Sequence, residues 1–85
     1  MLNFADLIFK SPPNEKSPKY TTANLTFDNG YGVRVIYFRP RYELAVTVAG
    51  KPVWNTPLGD RVLVKDSPEE ITALMGAVQE LPNIS

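Results

Sequence analysis

Phe27-Asp28-Asn29-Gly30-Tyr31-Gly32-Val33-Arg34-Val35-Ile36-Tyr37-Phe38 sets an Asn-Gly pair between two runs of alternating apolar residues. Such a pair supplies the positive φ angles of a tight hairpin turn, whose twist matches that of the strands it joins. The stretch therefore reads as a β-hairpin. Its first strand is Tyr20–Phe27, with Ala23, Leu25 and Phe27 on one face and Thr22, Asn24 and Thr26 on the other. Its second is Tyr31–Phe38. There Val33, Val35 and Tyr37 share one face, while Ile36 and Phe38 lie on the other with Arg34. A strand apolar on both faces is either covered twice or turned toward a partner.

Arg39-Pro40-Arg41 ends that strand as a turn, because proline cannot donate to the ladder. Tyr42–Ala49 alternates cleanly, with Tyr42, Leu44, Val46 and Val48 inward. Gly50-Lys51 turns the chain into a short strand, Pro52–Asn55. Thr56–Asp60 is a loop, and Arg61–Lys65 a fifth short strand. Ser67-Pro68-Glu69-Glu70 then opens a helix as a capping box, with acids placed favourably against the helix dipole. Ile71, Leu74, Met75, Val78 and Leu81 form its single apolar stripe, and Pro82 ends it. The expected fold is α+β: one antiparallel sheet of four to five strands with the C-terminal helix packed on one face.

The beginning of the chain is organised differently. Asn3 is positioned to cap a helical turn through Phe4–Phe9, with Phe4, Leu7 and Ile8 on one side. Ser11–Lys19 contains three prolines and reads as an exposed arm. Residues 1–19 are thus a turn and arm, and 20–85 a single α+β domain.

Composition removes most chemistry. At 85 residues, with neither Cys nor His, the chain has no disulfide framework and no zinc-thiolate site. It also lacks the commonest general base and transition-metal ligand. No carboxylate pair sits in an acid–base setting, since Glu69 and Glu70 are helix-start residues. No catalytic residue, metal or cofactor is expected. Apolar residues make up 44%, too many for a disordered chain. No apolar run approaches the roughly 20 residues a bilayer requires, so no membrane association is expected. Met1–Lys10 has no basic start and carries Asp6, unlike a signal peptide, which points to the cytoplasm. Formal net charge is zero, but residues 66–85 hold four acids and no base, while all nine basic side chains lie earlier. Ordinary intramolecular pairing accounts for that asymmetry better than a dipolar surface does.

Two features are candidates for binding. Tyr31, Arg34, Tyr37, Arg39 and Arg41, with Phe38 and Tyr42, fall within twelve residues. Aromatic rings beside guanidinium groups grip single-stranded nucleic acid, although the same residues equally serve a core and a solvated turn. Zero net charge favours the second reading. Trp54, the sole tryptophan, suits an interface anchor or a core plug. Gly30-x-Gly32 is a fragment of a phosphate loop, but it enters a strand and so belongs to the hairpin.

Three blocks together resemble small bacteriophage-encoded accessory proteins. They are Phe27–Val33, Tyr42–Val46, and Asn55–Val62 followed by the capped helix Ser67–Leu74. Asn55 and Gly59-Asp60-Arg61 stand where proteins of this kind carry an aromatic or acidic residue and an Asp-rich stretch. The resemblance implies a phage protein acting in the host cytoplasm and brings no activity with it. In topology alone, strands followed by one helix are also similar to the dimeric single-stranded-DNA-binding coactivator fold. The expected function is a non-enzymatic binding protein that engages, and in the inhibitory case blocks, a host protein. A single-stranded nucleic-acid module and a binder of a nucleotide signal are the alternatives. Ile36 and Phe38 require a cover: the N-terminal turn, a second copy in a homodimer, or the partner.

Overall fold

The hairpin forms where the Asn-Gly pair predicts it, but its turn is centred on Asp28-Asn29, and of the pair only Gly30 takes a positive φ. In the computed structural model, which describes residues 1–11, 20–59 and 61–84, β1 (Thr21–Thr26) and β2 (Tyr31–Phe38) pair antiparallel with Ala23 opposite Val35. The turn closes through the Gly30 N–H donating to the Phe27 carbonyl at 3.1 Å, and Gly30 takes a φ of 91°. Arg39-Pro40, joined by a cis peptide bond, leads into β3 (Arg41–Val48), which pairs with β2 along its whole length. Ala49 and Gly50, both at positive φ, turn the chain into β4 (Lys51–Pro52). Most of the proline-rich arm, residues 12–19, lies outside the described residues.

The far edge of β3 is shared by two short strands. β4 pairs with Val48 and Thr47 at one end, and β5 (Leu63–Lys65) pairs with Tyr42–Leu44 at the other. The fourth strand is shorter than the expected Pro52–Asn55. After Pro52 only Val53 continues the pairing, donating its N–H to Val46 at 2.9 Å.

Helix α1 (Pro68–Gln79) has Ser67 at its N-cap, whose hydroxyl accepts from the Glu70 N–H. Its stripe crosses the sheet face carrying Ala23, Val33, Val35, Leu44 and Val46. Ile71, Met75 and Val78 are fully buried there, with Leu74 and Leu81 packed at the margin. Burial of this kind stabilises a helix that would be marginal alone.

The N-terminal turn is shorter than its sequence suggests. Only Phe4–Asp6 is helical, as a 3₁₀ turn capped by Asn3, and Leu7 already has extended backbone. That change of direction takes Ile8 out of the expected apolar side, leaving it 72% exposed, while Phe9 packs inward in its place. The turn is fastened along α1. Phe4 N–H donates to Thr72 Oγ1 at 3.1 Å, and Gln79 exchanges hydrogen bonds with both backbone groups of Leu2 at 2.9 and 2.7 Å. Leu7 joins the core. The turn therefore lies on the helix side of the sheet. It does not cover Ile36 and Phe38.

Asn29 ties the hairpin to the end of the helix. Its side-chain Nδ2 donates to the carbonyls of Val78 at 2.8 Å and Leu81 at 3.0 Å, while Oδ1 accepts from the Tyr31 N–H at 3.1 Å. The last carbonyls of a helix have no partner within it. Here a turn residue supplies one.

Candidate functional site

Period-two alternation decides which side chains face away from the helix. On β2 these are Gly32, Arg34, Ile36 and Phe38, and the register sets Ile36 opposite Glu43 and Phe38 opposite Arg41. On the far side of β3, Glu43 is opposite Val64. A row from Ile36 through Glu43 to Val64 thus crosses three strands. Phe38 stands at the end of the sheet beside it, 51% exposed, with Val64 at 48% and Tyr20 at 39%.

Phe38 and Glu43 separate two hollows. One, about 330 Å³, is lined by Tyr20, Ile36, Phe38 and Glu43. The other, about 350 Å³, is lined by Phe38, Arg39, Pro40, Arg41, Glu43 and Val64. The surface sets Ile36, Phe38 and Val64 around the Glu43 carboxylate, with Arg39 and Arg41 at its margin. Arg41 lies 3.9 Å from Asp66, with both side chains well exposed, so the pair contributes little and leaves the guanidinium available.

The residues singled out in the sequence are distributed over both faces. Tyr31 and Tyr37 share the helix side with Val33 and Val35. Tyr37 stacks on Tyr42 at 4.8 Å, and Tyr42 meets Phe4 edge-on at 5.4 Å. They build the margin of the core. Arg34 is on the open face, but its Nε donates to Asn24 Oδ1 at 3.2 Å and its terminal nitrogen to the Gly50 carbonyl at 3.0 Å. That holds it toward the end of the sheet away from Phe38. Trp54 follows the last paired residue on the β3 edge and is 43% exposed, outside the core cluster. Of the set, only Arg39 and Arg41 are gathered around Phe38. Tyr20, Glu43 and Val64 complete the surface, and Val64 carried no local signal, because β5 reaches β3 only through the fold.

A third hollow, about 390 Å³, lies among Met1, Leu2, Asp6, Phe27, Asp28 and Gln79. Its Asp6 carboxylate already accepts the Asn3 N–H at 2.8 Å. Among the described residues, no group of three or more His, Cys, Asp or Glu converges on a metal position. No helix among the described residues is long and apolar enough to cross a membrane.

The Tyr42 hydroxyl is pushed above the ordinary tyrosine value of 10.0, first by burial and then by Tyr37 and Glu69. The unfolded chain therefore releases this proton at lower pH than the folded one does. Folding stability accordingly falls as pH rises past the unfolded value. Melting temperature followed from neutral to strongly alkaline pH should show that decline, and Tyr42→Phe should remove its share of the slope.

No family model, curated protein or solved structure matches this chain.

Proposed function

We propose that the chain is a non-enzymatic binding protein that docks another protein on the open sheet face around Phe38, acting as a phage accessory factor on a host protein. The exposed apolar side chains of this face are the observation that carries this reading. Tyr20, Phe38 and Val64 stand on a face that neither the helix nor the N-terminal turn covers. Contiguous apolar surface ringed by charge marks interaction sites in soluble proteins. The phage setting and the host partner rest on the sequence resemblance. Exposed Arg39 and Arg41 favour an acidic margin on that partner. With Tyr31 and Tyr37 turned to the helix side, the open face has few rings on which successive bases could stack, so a protein partner is favoured over a nucleic acid.

Affinity capture from bacterial lysate, run side by side with wild type, Phe38→Thr and Trp54→Ala, tests the reading. Truncation of a central aromatic anchor costs about 2 kcal/mol or more, roughly a thirtyfold loss of affinity. A protein retained by wild type and Trp54→Ala but lost from Phe38→Thr is the expected result. Capture indifferent to Phe38 would contradict it. Concentration-independent monomer sedimentation is expected alongside, and a Phe38-dependent dimer would assign the face to a second copy. Steeply salt-dependent binding of labelled single strands would transfer it to nucleic acid. A nucleotide that raises the melting temperature would assign the chain to a small ligand instead.

A further inference from the structure

We infer that Asn29 is a site of spontaneous amide loss that the native fold closes and unfolding opens, so that the hairpin turn records time spent unfolded. Of the six asparagines, only Asn29 precedes glycine. Glycine lacks a Cβ, so in a free chain nothing shields the Gly30 backbone nitrogen from the neighbouring side chain. That nitrogen attacks Asn29 Cγ. The N–Cγ bond forms, the Cγ–Nδ2 bond breaks, and ammonia departs with the amide proton. Water then opens the cyclic imide at either carbonyl, leaving aspartate or isoaspartate. Water is the only co-reactant.

The fold blocks each part of this sequence. Asn29 is only 8% exposed. Nδ2 is held by the Val78 and Leu81 carbonyls and Oδ1 by the Tyr31 N–H, so Cγ cannot swing onto the backbone nitrogen without breaking three hydrogen bonds. The Gly30 N–H is itself bonded to the Phe27 carbonyl. Reaction thus requires an opening that detaches the turn from the helix end.

Conversion also prevents return. An ionised aspartate has no donor, so the Val78 and Leu81 carbonyls would face a buried carboxylate where two N–H bonds had been. Isoaspartate adds a methylene to the main chain inside the turn and displaces the Tyr31 register. A chain that reacts while unfolded stays unfolded.

The test incubates the full chain at mildly alkaline pH, folded in buffer and unfolded in denaturant, with a synthetic peptide spanning residues 27–33 to fix the unprotected rate. Peptide mapping with isoaspartate detection reads conversion at Asn29, and Asn24 and Asn83, followed by leucine and isoleucine, serve as internal controls. Conversion in the folded chain is expected to be at least about tenfold slower than in the peptide, which an opening cost of about 1.4 kcal/mol already supplies. A core-weakened Val78→Ala chain in plain buffer should convert faster than wild type. Asn29→Asp, made directly, should show no cooperative melting at the wild-type temperature. Equal rates in folded chain and peptide would overturn the inference. A converted or Asn29→Asp chain that melts as wild type would overturn it equally.

Discussion

Met75→Asp should unfold the chain at 25 °C or destabilise it severely. Met75 is fully buried at the centre of the helix stripe, between Ile71 and Val78 and over the sheet. A carboxylate there has no cation within the core to pair with. It must either ionise in an apolar site or remain protonated at the cost of a shifted pKa, and it also forfeits the methionine's packing. Losses of this kind exceed about 4 kcal/mol, against a total stability of about 5–15 kcal/mol for a domain. Far-ultraviolet circular dichroism with thermal melting is the check. Met75→Leu, which preserves volume, should melt within a few degrees of wild type, since such swaps cost under about 1.5 kcal/mol. A Met75→Asp melting temperature equal to wild type would show that the stripe is not the core.

Gly32→Ala carries the second largest expected effect, and for a reason unrelated to glycine's conformational freedom. A Cβ at this position would lie 2.5 Å from the Leu25 carbonyl oxygen and 2.8 Å from Thr47 Oγ1. The hydroxyl can rotate away, but the carbonyl belongs to β1 and is held by the ladder. The methyl group therefore spreads β1 from β2 at the root of the hairpin. Overpacking of this sort costs about 1–3 kcal/mol, and in a domain of this size each kcal/mol lowers the melting temperature by about 4–8 °C. Urea denaturation should show the lowered midpoint with an unchanged slope. A midpoint matching wild type would mean that the strands approach less closely at Gly32.

What could be read from the sequence was local. The hairpin, the β2–β3 turn at Pro40 and the Ser67 cap each depend on neighbouring residues, and all form where their chemistry placed them. Fastening of the N-terminal turn depends on Thr72 and Gln79, polar residues on a helix flank that no short-range pattern distinguishes from solvent-facing ones. Asn29 was legible as a turn residue, but its carbonyl partners at the helix end become neighbours only when the helix crosses the sheet. The same holds for Val64, whose place beside Glu43 follows from β5 pairing with β3. The aromatic and arginine set shows a different lesson. Clustering by residue type joined Tyr31 and Tyr37 to the arginines, although the parity of β2 placed both tyrosines with Val33 and Val35. Parity also isolated Ile36 and Phe38 on the second face, and that part of the surface was legible.

Thermal unfolding of Phe38→Thr tests most directly whether this face is free to dock a partner. Threonine keeps the strand propensity and removes only the ring. With the ring half exposed, at 51%, the change should cost no more than about 1 kcal/mol, and the melting temperature should fall by no more than about 8 °C. A fall of 15 °C or more, about 2–4 kcal/mol on the same scale, would show that Phe38 is buried within the folded chain. The sheet would then have no open face to offer.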